Sequence, residues 1–541
     1  MPFTVVDYVL TRLKEQGVTH LFGVPALYCA ALFDAAPTHG ITPVVTASDL
    51  EAGYAADGYA RTKGLAVVAV ANGVGTLSLI NAVAGAYVER SPIIVINGGP
   101  TAGHLADLAQ RDVVYSHSTG RANIELDAFA LVTAKSVRAA TREAVPSAVD
   151  SAISAALTSK RPVYLEIAMD LWRQTCDNPG APLTSNVAAV GSETQLAATI
   201  VNLIRGAQKP VILIGTEVAR YGLADAAADL IAKLGVRWAS DMLSKSTLAE
   251  KGAGWIGVYD PPYVPQVIRT QVESTDLLVT LGCVFPNSFA PLVTQKFNSM
   301  VAVYDGKVRV GNQPKQSAEI RALVAAMANK AAEQPPATVP AGAVPAAPPA
   351  AAGTLTYKQV FQRVGVALDE TLITIPDTFL GTYSAANLPV EGKDAFLCDA
   401  VWASIGHSVA AAVGASFGST RRPLVLCGDG GFQMTAQALS PMARYGRNPI
   451  VVLIVNGIYG FEQFLLDRTY FNTNSNTPAR PYAVIGQWDF ATFANSVGVQ
   501  FAKVVDTAAA LDSELAAAKA HPGPCLIVAQ VPPRGLPTEM E

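Results

Sequence analysis

The sequence is short of charge, of paired cysteines and of long apolar runs, and each shortage excludes a class of protein. Only 15% of the 541 residues are charged, the net charge is −4 and there is no basic tract. That balance argues against nucleic acid as the main partner. The six cysteines are scattered, with no C-x-x-C pair. Cys283, Cys398, Cys427 and Cys525 lie in or beside apolar runs, which suits buried reduced thiols better than disulfides or zinc ligands. No apolar run approaches the ~20 residues that span a bilayer. The opening Met-Pro-Phe-Thr-Val-Val-Asp has neither the basic n-region nor the apolar h-region of a secretory signal. A cytoplasmic protein with no membrane partner is expected.

Apolar material is plentiful: half of the residues are hydrophobic. At roughly 150 residues per domain the chain has room for three or four domains. Residues 333–353 are rich in Pro and Ala and read as a semi-extended spacer. A second boundary is expected near Asp177–Ser192. The expected domains are therefore 1–180, 190–332 and 354–541. Strand-like runs are expected at Thr42–Ala47, Leu65–Ala71, Pro92–Gly98 and Pro162–Ala168, at Pro210–Gly215, Asp276–Gly282 and Met300–Asp305, and at Leu372–Pro376, Pro423–Cys427, Ile450–Val455 and Cys525–Val531. Helical periodicity at Val5–Glu15, Leu50–Lys63 and Leu77–Glu89 alternates with the first of these. Such alternation predicts an α/β protein of three doubly wound, parallel-sheet domains.

Two stretches carry most of the chemistry. Leu424-Val-Leu-Cys-Gly428-Asp429-Gly430-Gly431 and Val451-Val-Leu-Ile-Val-Asn456-Gly-Ile458 are apolar runs that end in small or oxygen-bearing residues. Each reads as a buried parallel strand, and ligands of open α/β sheets sit beyond the carboxyl ends of strands. Asp429 and Asn456 would then face one crevice. The Asp429 carboxylate, the Asn456 amide oxygen and the Ile458 carbonyl are hard donors suited to Mg²⁺, which shares its shell with phosphate oxygens. Gly428, Gly430 and Gly431 let the backbone approach a bulky ligand. Met434–Tyr445 reads as a helix whose N-terminus can receive an anion. Alone, Gly-Asp-Gly is an ordinary strand-to-helix turn; with Asn456 after a second strand it predicts a metal-bridged diphosphate.

A further signature runs Asp49-Leu-Glu51-Ala-Gly-Tyr-Ala-Ala-Asp57-Gly58-Tyr59-Ala-Arg61, followed by Asn72-Gly73-Val74-Gly75-Thr76. With the downstream Gly-Asp-Gly and Asn, and with Ser116-His117-Ser118-Thr119-Gly120, Trp402 to Ile405-Gly406, Tyr459-Gly-Phe-Glu462 and Trp488-Asp-Phe, the chain resembles the thiamine-diphosphate-dependent enzymes. It is most similar to their pyruvate decarboxylase branch over nearly its whole length.

The resemblance implies thiamine diphosphate and Mg²⁺ as cofactors, with Asp429, Asn456 and Ile458 at the metal and Gly430 and Gly431 along the diphosphate. It places Gly73, Val74, Gly75 and Thr378 at the cofactor. It makes Ile405 the wedge that bends the cofactor and Ala403 the carbonyl that accepts from its amino group. It implies self-association, an obligate dimer and by family habit a homotetramer, because the pyrimidine domain of one subunit faces the diphosphate domain of another.

Four departures from the family pattern bear on activity. The position of the activating glutamate holds Asp49, one methylene shorter; read without the family, it is simply an acid favoured at a helix start. Glu51 is not expected to replace it, since residues two apart point to different sides of a helix. Leu27 stands where the decarboxylases have an active-site aspartate. Their His-His pair appears as Ser116-His117. The segment Gly535–Glu541 after the last strand leaves no room for their closing helix. Glu462 matches the glutamate near the substrate carboxylate, or is a surface acid; His117 is a site imidazole, or a loop histidine satisfied by backbone. His407, just beyond Ile405, is expected near the cofactor. Leu27, Phe461, Phe464 and Leu465 suggest an apolar pocket, though ordinary helix packing explains each singly.

The expected substrates are 2-keto acids and carbonyl acceptors. Decarboxylation leaves an acyl-anion equivalent; protonation gives an aldehyde, and attack on a second carbonyl gives a 2-hydroxyketone. Loss of acidic groups at 27 and 116 predicts a lyase that decarboxylates and also ligates. The alternatives are an acetolactate-synthase-like carboligase or diketone hydrolase, and a cofactor-binding homologue of weak activity.

Overall fold

The computed structural model describes residues 2–184, 187–252, 254–334, 353–472 and 474–541. It contains three sheets, strung along the chain in order. The first comprises β1 (His20–Gly23), β2 (Thr42–Val45), β3 (Ala66–Ala69), β4 (Ile93–Gly99), β5 (Lys135–Ala139) and β6 (Val163–Ala168), in the order β2-β1-β3-β4-β6-β5 and parallel throughout. The second comprises β7 (Pro210–Ile214), β8 (Arg237–Ser240), β9 (Trp255–Val258), β10 (Leu277–Leu281), β11 (Met300–Tyr304), β12 (Lys307–Val310) and β13 (Gln316–Ser317). Its order is β13-β12-β11-β10-β7-β8-β9. The third comprises β14 (Leu372–Pro376), β15 (Arg422–Gly428), β16 (Ile450–Val455), β17 (Phe501–Val505) and β18 (Cys525–Gln530), parallel in the order β14-β15-β16-β18-β17.

The expectation of three α/β, mainly parallel-sheet units holds. One edge departs from it: β11, β12 and β13 pair antiparallel. Asp305 and Gly306 both take positive φ, 54° and 66°, which is the two-residue turn that folds a strand straight back into a hairpin. The expected spacer at 333–353 lies, from 335 to 352, outside the described residues.

Strands β3, β6, β10, β14 and β16 are buried at every position, as two-sided burial under helices requires. The first and third units meet through two helices, Asp49–Lys63 and His407–Gly418. Both are rich in Ala and Gly, so their backbones pack closely. A Cβ on Gly414 would overlap the Ala55 carbonyl, and one on Gly58 the Ala411 carbonyl. One apolar cluster therefore runs across both units, from Tyr54 and Tyr59 through Val409 and Val413 to Val425 and Val451. All six cysteines are unpaired. Among the described residues no helix is long and apolar enough to cross a membrane.

Candidate functional site

The register between β15 and β16 sets Gly428 opposite Ile454. Asp429 and Asn456 therefore emerge side by side at the carboxyl edge of the third sheet. The helix begins at Asp429 itself, over Asp429–Thr435, with Gly428 as its N-cap. Gly430 and Gly431 are thus in its first turn rather than in a loop before it. The helix expected over Met434–Tyr445 is instead broken: Ala436–Ala438 is a 3₁₀ turn and Leu439–Arg444 a separate helix. Pro441 accounts for the break, since its ring cannot follow an unbroken α-turn.

Asp429 is 2% exposed, and burial pushes its carboxyl up to about 6. Only backbone N–H groups oppose that shift: Gly457 donates to Oδ2 at 2.8 Å and Gly430 to Oδ1 at 3.2 Å. The Asn456 oxygen accepts from Ile458 N–H at 3.2 Å. Among the described residues the Ile458 carbonyl takes no backbone hydrogen bond. A buried carboxylate without a cationic partner, beside an amide oxygen and a free carbonyl, is a donor set that fits a hard divalent cation. Asn456, Gly457 and Ile458 also line a cavity of about 370 Å³ with Gln487 and Gln530.

The first domain supplies a second constellation. Asp49 is the first residue of its helix, capped by Ser48, which accepts from Glu51 N–H. Its side chain is half-buried, and burial raises its pKa. Its Oδ1 lies 2.9 Å from where a Gly75 Cβ would stand. Gly73, at φ 68°, caps the Val74–Val88 helix and packs on the His117 backbone so closely that a Cβ would overlap the His117 carbonyl. The Tyr28 ring lies 6.0 Å from the His117 ring, and its hydroxyl donates to the Ser116 carbonyl at 3.1 Å. Asp49, the Gly73–Gly75 turn, Ser116, His117 and the Leu27–Tyr28 segment are therefore gathered in one region. Leu27, Ser116 and His117 are exposed. Glu51, by contrast, is 1% exposed, sealed inside its own chain, and neither oxygen closes a hydrogen bond.

Between the two constellations runs Val401–Gly406. Ala403 takes a left-handed φ of 57°, unusual for a residue with a Cβ. Thr378 follows β14 and donates to the Asp399 carbonyl at 3.4 Å. Phe464, 1% exposed, packs on Tyr263 and Phe471, the ordinary helix packing that is its alternative reading. His407 is buried: its Nε2 lies 2.7 Å from Asp57 Oδ2, which ties the two central helices together. Glu462, on the Gly460–Leu466 helix, is exposed. The turn Thr538–Met540 docks by Glu539 on Ser384 and Asn387.

Three mainly parallel α/β units, with Asp429 and Asn456 at the sheet edge of the third and Asp49 beside the Gly73–Gly75 turn of the first, are the arrangement expected of the thiamine-diphosphate-dependent enzymes. The comparisons agree. Residues 3–121 match the model of the thiamine pyrophosphate enzyme N-terminal TPP binding domain, 197–331 the central domain and 380–529 the C-terminal TPP binding domain. An alpha-keto-acid decarboxylase of Mycobacterium tuberculosis (strain CDC 1551 / Oshkosh) is 31% identical over 98% of this chain and 95% of its own. One from Mycolicibacterium paratuberculosis is 30% identical over 98% and 94%. The chain belongs to the thiamine pyrophosphate enzyme family, in its 2-keto acid decarboxylase branch. The fold is shared with a protein from Mycobacterium smegmatis assigned to the thiamin diphosphate-dependent enzymes (TM-score 0.78, 21% identity, 98% and 99% coverage). It is shared too with benzoylformate decarboxylase from Polynucleobacter necessarius (0.77, 18%, 99% and 100%).

Sequence reasoning missed Glu89, Asp377 and Asp399. All three are buried acids that bond backbone N–H groups, and no residue spacing marks such partners in advance.

Proposed function

We propose that the protein is a Mg²⁺- and thiamine-diphosphate-dependent lyase that decarboxylates a 2-keto acid and passes the acyl unit to a carbonyl acceptor. The metal part of the reading is supported by the buried, cation-free Asp429 beside the Asn456 oxygen and the Ile458 carbonyl. Thiamine diphosphate, when bound, would supply a nucleophilic carbon for the keto acid and a cationic ring that serves as the electron sink when CO₂ departs.

The chain's own residues do the rest. Asp429, Asn456 and Ile458 would hold the metal, with Gly428, Gly430 and Gly431 beside the diphosphate and Val74 and Thr378 contributing to the cofactor's seat. Asp49 would hold or release a proton at the pyrimidine ring. The Ala403 carbonyl would accept from the ring's amino group and Ile405 would support the bent cofactor. Glu462 would serve the substrate carboxylate and His117, with the adjacent Ser116, the product proton.

The single observation that carries ligation is the Leu27–Tyr28–Ser116–His117 cluster, which has one imidazole and no carboxylate among its members. Protonation of the product is there poorly served, so an acceptor carbonyl competes. A second copy of the chain completes the site in this reading. Leu27 (78% exposed), Val74 (59%) and Trp402 (43%) are apolar and open beside the two constellations, which supports a dimer; the tetramer is implied by the family resemblance alone.

The test is incubation with thiamine diphosphate, Mg²⁺ and a panel of 2-keto acids, with and without aldehydes. CO₂ release with hydroxyketone formation is expected. No CO₂ and no hydroxyketone from any pair sinks the reading.

A further inference from the structure

The segment Val401–Gly406 has no helix or strand to hold it, yet nearly all of its backbone N–H groups are bonded, and bonded to carboxylates. Val401 and Trp402 donate to Glu89 Oε1 at 2.6 and 3.0 Å. Ala403 donates to Asp399 Oδ1 at 3.2 Å and Ser404 to Asp399 Oδ2 at 2.8 Å. Gly406 donates to both oxygens of Asp377, at 3.0 and 2.9 Å. The three acids come from three places: the end of the Val74–Val88 helix, the irregular stretch just before the segment, and the end of β14. All are buried, at 0, 6 and 2% exposure.

Three buried carboxylates so close together need a reason. Arg61 offsets one charge, donating from Nη2 to Glu89 at 2.8 Å and from Nη1 to the Cys398 carbonyl at 2.7 Å. Burial, and then the facing Glu89, push the Asp399 carboxyl well above the usual range. Burial pushes Asp377 up to about 6. A set of acids that costs this much to bury is retained for the shape it imposes. That shape includes the left-handed Ala403, whose carbonyl takes no backbone hydrogen bond among the described residues.

We propose that Asp377 and Asp399 are positioning residues: with Glu89 they clamp Val401–Gly406 by its backbone and so hold the Ala403 carbonyl and the Ile405 side chain ready for the cofactor. The inference rests on the reading of Ala403 and Ile405 as cofactor contacts. Asp377 grips the segment after Ile405 and Asp399 the segment before it, so the wedge residue is fixed from both sides. Side-chain ties, Trp402 Nε1 to Asn81 at 2.9 Å and Ser404 to Tyr54 at 2.6 Å, are secondary.

The test uses the full chain as D377N, D399N and the control N81A, with two readouts. The first is hydrogen–deuterium exchange of the 401–407 peptide without cofactor. The second is the Kd of thiamine diphosphate at saturating Mg²⁺. Both carboxamide variants should exchange at least tenfold faster in that peptide and bind the cofactor at least tenfold more weakly, while N81A stays within twofold on both. Unchanged exchange, faster exchange without loss of affinity, or an equal loss in N81A overturns the clamp. D377E and D399E replace any carboxamide variant that does not fold, with the same expectations, because the extra methylene displaces the grip. A wild-type chain that binds no thiamine diphosphate instead refutes the functional reading.

Discussion

The Asp49 carboxylate occupies space that only a glycine at position 75 leaves open: Oδ1 lies 2.9 Å from the place where a Gly75 Cβ would be. Asp49 is half-buried, while Glu51, two residues on, is enclosed by its own chain. Of the three acids in the signature, Glu51 and Asp57 are buried, and only Asp49 is accessible to a cofactor brought by another surface. Replacing it by Asn keeps shape and removes the proton acceptor. The exchange rate of the cofactor's C2 proton, followed by NMR after acid quench, should fall about a hundredfold, the lower end of what acid–base groups contribute. Asp49→Glu restores the missing methylene and should raise the rate. An unchanged rate in both variants removes Asp49 from the chemistry.

Asp429 gives the most direct check on the metal. Its oxygens bond only backbone N–H groups, so Asp429→Ala leaves no side-chain partner stranded. Mg²⁺-dependent thiamine diphosphate binding, measured by fluorescence titration with and without chelator, should weaken by more than about a hundredfold, since one of few hard ligands is gone. Retained metal-dependent binding would falsify the assignment.

Glu51 predicts a pH effect on stability with a definite sign. Burial pushes its carboxyl up to about 8, from an ordinary value near 4.5. The folded chain therefore keeps a proton that the unfolded chain gives up. The stabilisation is whole below pH ~4.5, declines as pH rises and is lost through pH ~8, with a slope of at most about 1.4 kcal/mol per pH unit. Glu51→Gln removes the titration. Its melting temperature relative to the wild type should rise between pH 5 and pH 8. A parallel pair of curves would show that Glu51 is charged throughout.

Much of this was legible beforehand, for physical reasons that also mark the limit. Leu372–Pro376 and Ile450–Val455 were readable to the residue, because buried central strands are unbroken apolar runs. Lys135–Ala139 and Phe501–Val505 were not: they are edge strands, and Lys135, Arg138 and Lys503 disguise them. Asp49, Asp429 and Asn456 could be placed because each follows a strand end or a fixed motif spacing. Glu89, Asp377 and Asp399 act on backbone N–H groups contributed by a distant or irregular stretch, and a backbone group has no letter in a sequence.

The two central helices offer a test of packing without chemistry. Gly414→Ala puts a methyl into the Ala55 carbonyl, and the obstructing atoms are backbone, so no side chain can swing aside. Overpacking of this kind costs about 1–3 kcal/mol. Thermal unfolding should begin several degrees lower, whereas Gly64→Ala, at a helix end with nothing within 4 Å of its Cβ position, should show only the cost of its positive φ. Equal losses in the two variants would place the helix contact outside the stability of the chain.

On the proposed reading, Leu27 would bear on the two fates of the product. It is exposed, on a short 3₁₀ turn, and its neighbour Tyr28 is the residue that binds the Ser116 carbonyl and faces His117. Leu27→Asp therefore adds an acid at the rim of that cluster without disturbing the buried neighbour that organises it. An acid there can hand a proton to the nascent product, so aldehyde release should gain on ligation. With a 2-keto acid and an acceptor aldehyde both in excess, the ratio of free aldehyde to hydroxyketone, read by gas chromatography, should rise at least tenfold. Total CO₂ release should stay within a few-fold, because decarboxylation precedes the branch. A fall in both products together would mean that Leu27 serves binding rather than partition, and an unchanged ratio would move the control of product fate away from this loop.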